Sequence, residues 1–149
     1  MRLPFHRLEP PRPYVAGQDE EIIDSSVGIT LTHLGDPGWD QIRILVWNPR
    51  AGYWERAGWA KMMLIDGSTF LIADLEIFPQ HQGRGYGTTL LHAAIELAMK
   101  SGAREILGHL SARDDVPRLK RWYEREGFSI VDPREKSMLA SIVMHVATS

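Results

Sequence analysis

Residues 78–88 read FPQHQGRGYGT, a glycine-rich turn that joins an apolar stretch to a segment with helical periodicity. Glycine lets the backbone approach a ligand closely, and the first turn of a helix leaves several N–H groups without an internal partner. Those N–H groups and the helix dipole together favour an anion at this point of the chain. The sequence therefore predicts an anion-binding loop, and a diphosphate is the ligand that suits it best.

A crossover unit is predicted around this loop. Residues 69–78 are apolar enough to form a buried central strand, and apolar residues recur at helical spacing over 88–101. Gly102 follows where a left-handed residue commonly ends a helix, and residues 105–110 have the pattern of a short strand. Strand, helix and strand then place two parallel strands side by side.

The rest of the chain adds strands and a second helix. Upstream, strands are predicted over residues 27–34, 42–47 and 56–65, with turns at 35–38, 48–52 and 66–67. Downstream, a helix over residues 116–126 is capped by Asp115 and ended by Gly127, and strands over 128–131 and 139–146 complete the sheet. These elements predict an α+β fold, with a mixed sheet of about seven strands and a parallel centre.

The N-terminal region differs in composition from the rest of the chain. Four of the nine prolines lie in residues 1–13, and an acidic run follows at 19–21. This predicts an extended arm over residues 1–20 and a single domain over 21–149. The arm is interpreted either as a plain extension or as a segment that binds a partner or covers a substrate.

Composition excludes several classes of function. The 149 residues contain no cysteine, which removes disulfides, thiolate metal centres and cysteine nucleophiles. A formal charge of −2 argues against a nucleic-acid partner, and no apolar run is long enough to span a membrane. The six histidines lack metal-ligand spacing, so no metal is expected. With no apolar leader either, the predicted compartment is the cytoplasm.

The glycine pattern itself discriminates among ligand-binding loops. A P-loop needs a lysine after its last glycine, and a dinucleotide fingerprint needs a glycine where Thr88 stands. The pattern that fits is Gln-x-x-Gly-x-Gly, formed by Gln82, Gly85 and Gly87. In this motif the chain resembles the GNAT superfamily of acyl-CoA-dependent N-acetyltransferases.

Two further motifs carry the same resemblance. Residues 75–79 read LEIFP, similar to the strand end that precedes the loop in this superfamily, and residues 123–128 read YEREGF, similar to its later helix. The likeness covers roughly residues 58–131. It also implies that the central strands splay apart. The chain departs from the superfamily in two ways: its first-half helices are reduced or absent, since only residues 35–41 are available, and Val116 stands where asparagine is common.

The resemblance implies a function and a set of site residues. It implies transfer of an acyl group, normally acetyl from acetyl-CoA as co-substrate, to a primary amine. Because the chain has no cysteine, direct attack in a ternary complex is expected rather than a cysteinyl acyl-enzyme. The implied cofactor-binding residues are the strand residues Leu75, Glu76 and Ile77 and the loop residues Gln82, Gly83, Arg84, Gly85, Tyr86, Gly87 and Thr88.

Catalysis needs a base for the amine and an acid for the leaving thiolate. Asp74 and Glu76 are the predicted bases, since alternation along a strand places them on one face; solvated or salt-bridged carboxylates are the other interpretation. His109 on the next strand is a further candidate. The resemblance implies that Tyr123 is the general acid, although it could simply pack with Trp122.

The sequence leaves the acceptor and the partners open. The acceptor is a small-molecule amine or a peptide or protein amine, and dimers are common among similar proteins, so a homodimer is an open option. A different class of function is also consistent with the missing helices: a non-catalytic module of the same fold that binds acyl-CoA or another protein. A nucleotide-binding regulator is a third, weaker alternative.

Overall fold

The computed structural model describes residues 8–24, 28–34 and 38–146. This part of the chain forms eight strands, two α-helices and one turn of 3-10 helix at Pro79–His81. The strands are β1 (Glu20–Asp24), β2 (Ile29–His33), β3 (Asp40–Asn48), β4 (Tyr53–Leu64), β5 (Thr69–Ile77), β6 (Glu105–Leu110), β7 (Ser129–Val131) and β8 (Ala140–His145). The helices are α1 (Tyr86–Lys100) and α2 (Val116–Arg125).

The strands form one mixed sheet in the order β1-β2-β3-β4-β5-β6-β8-β7. Only the β5–β6 pair is parallel among the described strands. The predicted α+β class and parallel centre are therefore confirmed. The sheet has one strand more than the seven predicted, because β1 pairs with β2 at the edge. The side chain of Glu20 in β1 accepts hydrogen bonds from Tyr14 and Thr30, which satisfy this carboxylate within the edge of the sheet.

Local signals placed both helices within two residues of their observed ends. Gly102 and Gly127 have φ angles of 83° and 98°, the left-handed conformation that ends a helix. The Asp115 carboxylate accepts the backbone N–H of Arg118 and so caps α2 as predicted. Residues 35–37 of the first predicted turn, and residues 1–7 of the arm, lie outside the described residues.

Both helices pack on the same face of the sheet. The crossovers from β5 through α1 to β6 and from β6 through α2 to β7 run in the same direction, and right-handed crossovers then put both helices on one side. Leu90, Leu91 and Ala94 of α1 are fully buried against this face. In residues 8–24, 28–34 and 38–146 no helix covers the opposite side, which we call the open face.

A bulge in β5 decides which side chains reach the open face. Lys61 of β4 pairs with Asp74 and Met62 pairs with Ile72, so Ala73 is an extra residue in β5. Before the bulge Ile72 is buried towards the helices, and after it Leu75 takes that side. Without the bulge, the alternation of side chains along β5 would have turned Asp74 and Glu76 into the core. The single extra residue sends them to the open face instead.

The parallel pair separates part-way along its length. Backbone pairing between β5 and β6 runs from Thr69 with Glu105 to Ile72 with Gly108 and then ends. Beyond that point β5 stays paired only with β4, and β6 only with β8. The two strands therefore leave a gap between them, as the resemblance implied.

The N-terminal arm lies along the turn between β3 and β4. No strand or helix forms over residues 8–19. The indole N–H of Trp47 donates to the carbonyl of Glu9 at 2.8 Å, and that of Trp54 donates to the carbonyl of Arg12 at 2.7 Å. The N–H of Glu9 donates to the Pro49 carbonyl at 2.9 Å. These bonds hold the arm against the hairpin.

Candidate active site

A cavity of about 970 Å³ opens where β5 and β6 separate. Its walls are the C-terminal half of β5, the loop before α1, the end of β6 and one side of α2. Asp74 and His109 reach it from the open face, and Tyr123 reaches it from the side of the helices. A ligand in this cavity can therefore contact groups on both faces of the sheet.

The start of α1 lies at one end of the cavity. Gly83 and Gly85 have φ angles of 78° and 82°, so these positions require glycine for its backbone conformation. Gly85 is the N-cap and no side chain caps the helix, so the N–H groups of Tyr86, Gly87 and Thr88 have no helical partner. The first turn contains no acidic residue. These N–H groups and the helix dipole form a site for an anion.

Two side-chain hydrogen bonds fix the position of this loop. The side-chain amide of Gln82 donates to the carbonyl of Ile77 at 3.0 Å, which ties the loop to the end of β5. The indole of Trp122 in α2 donates to the Thr88 hydroxyl at 3.3 Å, which ties the two helices together. Gln82 therefore acts within the loop as a brace between loop and strand.

The free edge of β5 presents backbone groups to the gap. The N–H of Phe78 donates to the carbonyl of Ala57 on β4 at 2.9 Å. Because successive N–H groups in a strand point to opposite sides, those of Leu75 and Ile77 point away from β4 and into the cavity. The Ile77 carbonyl points the same way, where Gln82 binds it.

Tyr123 is packed in aromatic surroundings and still lines the cavity. It is 7% exposed, and its ring centre lies 4.7 Å from that of Trp122 and 5.4 Å from that of Phe128. Burial, with a smaller contribution from the Asp114 carboxylate, raises the pKa of Tyr123 to about 12. Its hydroxyl therefore keeps its proton at neutral pH. Tyr123 therefore both packs against Trp122 and lines the cavity.

The carboxylates of Asp74 and Glu76 are exposed on the open face. Neither has an ion-pair or hydrogen-bond partner among residues 8–24, 28–34 and 38–146. Lys61 and Trp59 are their cross-strand neighbours, but the Lys61 ammonium lies 4.9 Å from the ring centre of Trp39. Both carboxylates are therefore free to attract a cation from solvent.

His109 approaches the cavity from β6. Its Nδ1 lies 3.0 Å from the hydroxyl of Ser141 on β8, a residue with no exposed surface. Burial lowers the pKa of His109, with Glu135 opposing this effect and Arg134 adding to it. The imidazole is therefore neutral at pH 7.

The sequence profile of the acetyltransferase (GNAT) family matches residues 2–128. The chain belongs to this family. Membership assigns it acetyltransferase activity, and the earlier resemblance to GNAT proteins is confirmed. No curated protein is similar enough in sequence to match this GNAT chain.

Solved structures share the GNAT fold of this chain at low sequence identity. A protein assigned to the GNAT acetyltransferases, from Desulfovibrio desulfuricans, aligns with a TM-score of 0.60 and 20% identity over 74% of this chain and 70% of its own. A GNAT acetyltransferase from Elizabethkingia anophelis with acetyl-CoA bound aligns with a TM-score of 0.59 and 17% identity, over 72% of this chain and 76% of its own. The PaiA N-acetyltransferase of Thermoplasma acidophilum in complex with coenzyme A aligns with a TM-score of 0.56 and 17% identity, over 71% of this chain and 60% of its own.

Most site residues implied by the GNAT resemblance meet at the cavity. Those that line it are Asp74, Leu75, Glu76, Ile77, Gln82, Gly83, Gly85, Tyr86, Gly87, Thr88 and Tyr123. Arg84 is exposed and does not line it. Sequence reasoning missed Arg113, Arg118 and Arg125, which line the cavity from the side of α2. The density of basic residues in that helix was the available signal.

No group of three or more potential metal ligands occurs in the described part. Neither of the two described helices combines the length and apolar character that crossing a membrane requires.

Proposed function

We propose that this chain transfers the acetyl group of acetyl-CoA directly to a primary amine in a ternary complex. The observation that carries the proposal is the cavity that crosses the sheet, from an uncapped helix N-terminus to a buried tyrosine and two free carboxylates. Acetyl-CoA in the Elizabethkingia anophelis structure and coenzyme A in the Thermoplasma acidophilum structure support the choice of cofactor.

The cofactor would lie along the free edge of β5. Its diphosphate fits the N–H groups at the start of α1, and Arg113 and Arg118 add positive charge on the facing side. Its amide-containing arm would pair with the backbone of Leu75 and Ile77, whose N–H groups point into the gap. The Ile77 N–H is then placed to donate to the thioester oxygen as negative charge develops there.

The open face supplies the route for the amine. An alkylammonium with an ordinary pKa near 10.4 is neutral in about one molecule in a few thousand at pH 7, so a base must take a proton. Asp74 and Glu76 are exposed on this face and would attract the ammonium, and a basic role for either stays a prediction. The neutral amine attacks the thioester carbon and the C–S bond breaks.

Tyr123 is the proposed donor to the leaving thiolate. Its pKa of about 12 exceeds the ordinary thiol value of about 8.5, which taken alone would make the transfer unfavourable. The burial that raises the pKa of Tyr123 also destabilises a thiolate beside it, because desolvation penalises every anion. The two values therefore approach each other inside the cavity.

Acetyl-CoA calorimetry and a thiol-release assay over a panel of amines and peptides test the proposal. Tyr123→Phe should lower turnover at least tenfold and leave acetyl-CoA affinity nearly unchanged, since only the hydroxyl is lost. Tyr53→Phe, at an exposed position of β4, is the matched control. Unchanged turnover in Tyr123→Phe would remove this tyrosine from the mechanism, and tighter binding of ATP or NAD than of acetyl-CoA would refute the cofactor.

A second candidate function is a non-catalytic module that holds acyl-CoA. The observation in its favour is the open face, where no described helix completes an acceptor pocket. Tight acetyl-CoA binding without thiol release for any acceptor, while a known transferase works in the same assay, would favour this function.

A further inference from the structure

We propose that His109, oriented by Ser141, is the catalytic residue that takes the proton from the acceptor amine. The inference rests on the proposed acetyl transfer to an amine. It assigns Asp74 and Glu76 a different task, which is to attract and hold the ammonium beside the imidazole.

The register of β6 places His109 at the edge of the gap. Gly108 is the last residue of β6 that pairs with β5, opposite Ile72, and His109 follows it directly. Gly108 and its β8 partner Ile142 face the helices, so alternation turns His109 to the open face. Asp74 reaches the same cavity from the same face.

Ser141 gives the imidazole a defined orientation. The buried Ser141 hydroxyl accepts the backbone N–H of Arg134 at 2.9 Å and lies 3.0 Å from His109 Nδ1. When Nδ1 carries no proton, the Ser141 O–H donates to it; when Nδ1 carries the ring proton, the second lone pair of the Ser141 oxygen accepts that N–H. In that tautomer the lone pair of Nε2 is directed away from Ser141 and is free to accept a proton. The hydrogen bond to Ser141 then also stabilises the imidazolium.

The charges around His109 fit this role. Burial holds its pKa below the ordinary value near 6.5, and the Glu135 and Arg134 contributions from the β7–β8 loop oppose each other. On the open face the neighbouring charged groups of β5 are Asp74 and Glu76. An imidazole is ordinarily a stronger base than a carboxylate, and the lowered pKa keeps His109 unprotonated and able to accept a proton at neutral pH.

The protons balance in this scheme. The ammonium gives one proton to His109 Nε2, and the neutral nitrogen attacks the thioester carbon to form the C–N bond. As the C–S bond breaks, the thiolate receives the Tyr123 proton, and the nitrogen loses its second proton to regenerate the tyrosine through solvent. His109 then releases its proton to solvent. One proton ends on the thiol of coenzyme A and one in water.

Two acceptors of similar shape separate a basic role from a structural one. We would compare an alkylamine with its fluorinated analogue, whose ammonium has a much lower pKa, in wild type and in His109→Gln. We expect kcat/KM for the alkylamine to fall at least 100-fold in the variant, with the acetyl-CoA Kd unchanged, and the analogue to lose much less. His145→Gln, at an exposed position of β8, is the matched control and should behave as wild type.

Histidine ¹⁵N spectra of the wild-type protein give a readout that needs no turnover. We expect the neutral tautomer with its proton on Nδ1, and a proton on Nε2 would overturn the proposal. Equal loss for both acceptors in His109→Gln would also overturn it, because that result indicates a structural role. If the wild type turns over and His109→Gln has the same kcat/KM, the role of His109 alone is refuted. If the wild type releases no thiol with any amine tested, the proposed function and this inference are refuted together.

Discussion

Gly58→Ala should destabilise the protein by pushing on the backbone of β5. A Cβ atom at Gly58 would lie 2.4 Å from the carbonyl oxygen of Glu76 and 2.5 Å from Cδ1 of Ile77. The Ile77 methyl can rotate away, but the Glu76 carbonyl belongs to the strand and must move by about 1 Å to reach an ordinary contact of 3.4 Å. Such overpacking costs about 1–3 kcal/mol.

The magnitude can be measured by thermal unfolding. For a chain of this size each kcal/mol lowers Tm by about 2–4 °C, so Gly58→Ala should unfold roughly 2–12 °C below wild type. Because the displaced carbonyl belongs to the β5 segment proposed to bind the cofactor, acetyl-CoA affinity should fall in the same variant. Calorimetry on the folded variant measures that second effect.

Gly87→Ala is the matched control with the opposite expected sign. A Cβ atom at Gly87 would lie 3.7 Å from Ile77 and 3.8 Å from Trp122, which are ordinary contacts. Gly87 lies in α1, where alanine is favoured over glycine by up to about 1 kcal/mol. Its Tm should therefore equal or exceed that of wild type. If the Tm of Gly58→Ala equals that of Gly87→Ala, the close approach of β4 to β5 at Gly58 is refuted.

Two further predictions concern single side chains. Asp115→Ala removes the cap of α2 and should cost about 0.5–1 kcal/mol in thermal unfolding, while Asp115→Asn, which can still accept the Arg118 N–H, should lose less; equal losses would contradict the capping role. Glu20 is buried enough to raise its pKa, but hydrogen bonds from Tyr14, the Gly17 N–H and Thr30 outweigh this and lower it. The resulting stabilisation is present at neutral pH and is lost as pH falls through the folded pKa, so Glu20→Gln should have a shallower acid dependence of unfolding than wild type; parallel curves would contradict this.

Local chemistry made much of the fold predictable from the sequence. The period of α1, the cap at Asp115 and the left-handed glycines at 102 and 127 are each specified by a few neighbouring residues. The loop over residues 78–88 was predictable for the same reason, since its glycines and the following helix act within one turn of chain. The family motifs added the order of these elements.

The parts that sequence reasoning missed depend on contacts between distant residues. No strand was predicted over β1, which begins within the acidic run at 19–21, because the hydrogen bond that Thr30 donates to Glu20 comes from ten residues away. The bulge at Ala73 leaves no mark in composition, since any residue can be the extra one. The orientation of His109 depends on Ser141, which is 32 residues further along the chain. Arg113 reaches the cavity only through the docking of α2.

The way the hairpin holds the N-terminal arm limits how that arm can vary. Trp47 and Trp54 bind main-chain carbonyls, at Glu9 and Arg12, and not the side chains of those residues. Every amino acid supplies the same carbonyl, so the arm can exchange most of its side chains and keep its docking. The two tryptophans have no such freedom, because their indole N–H groups are the donors in both of these bonds. Mutational tolerance should therefore be broad along the arm and narrow in the hairpin that binds it.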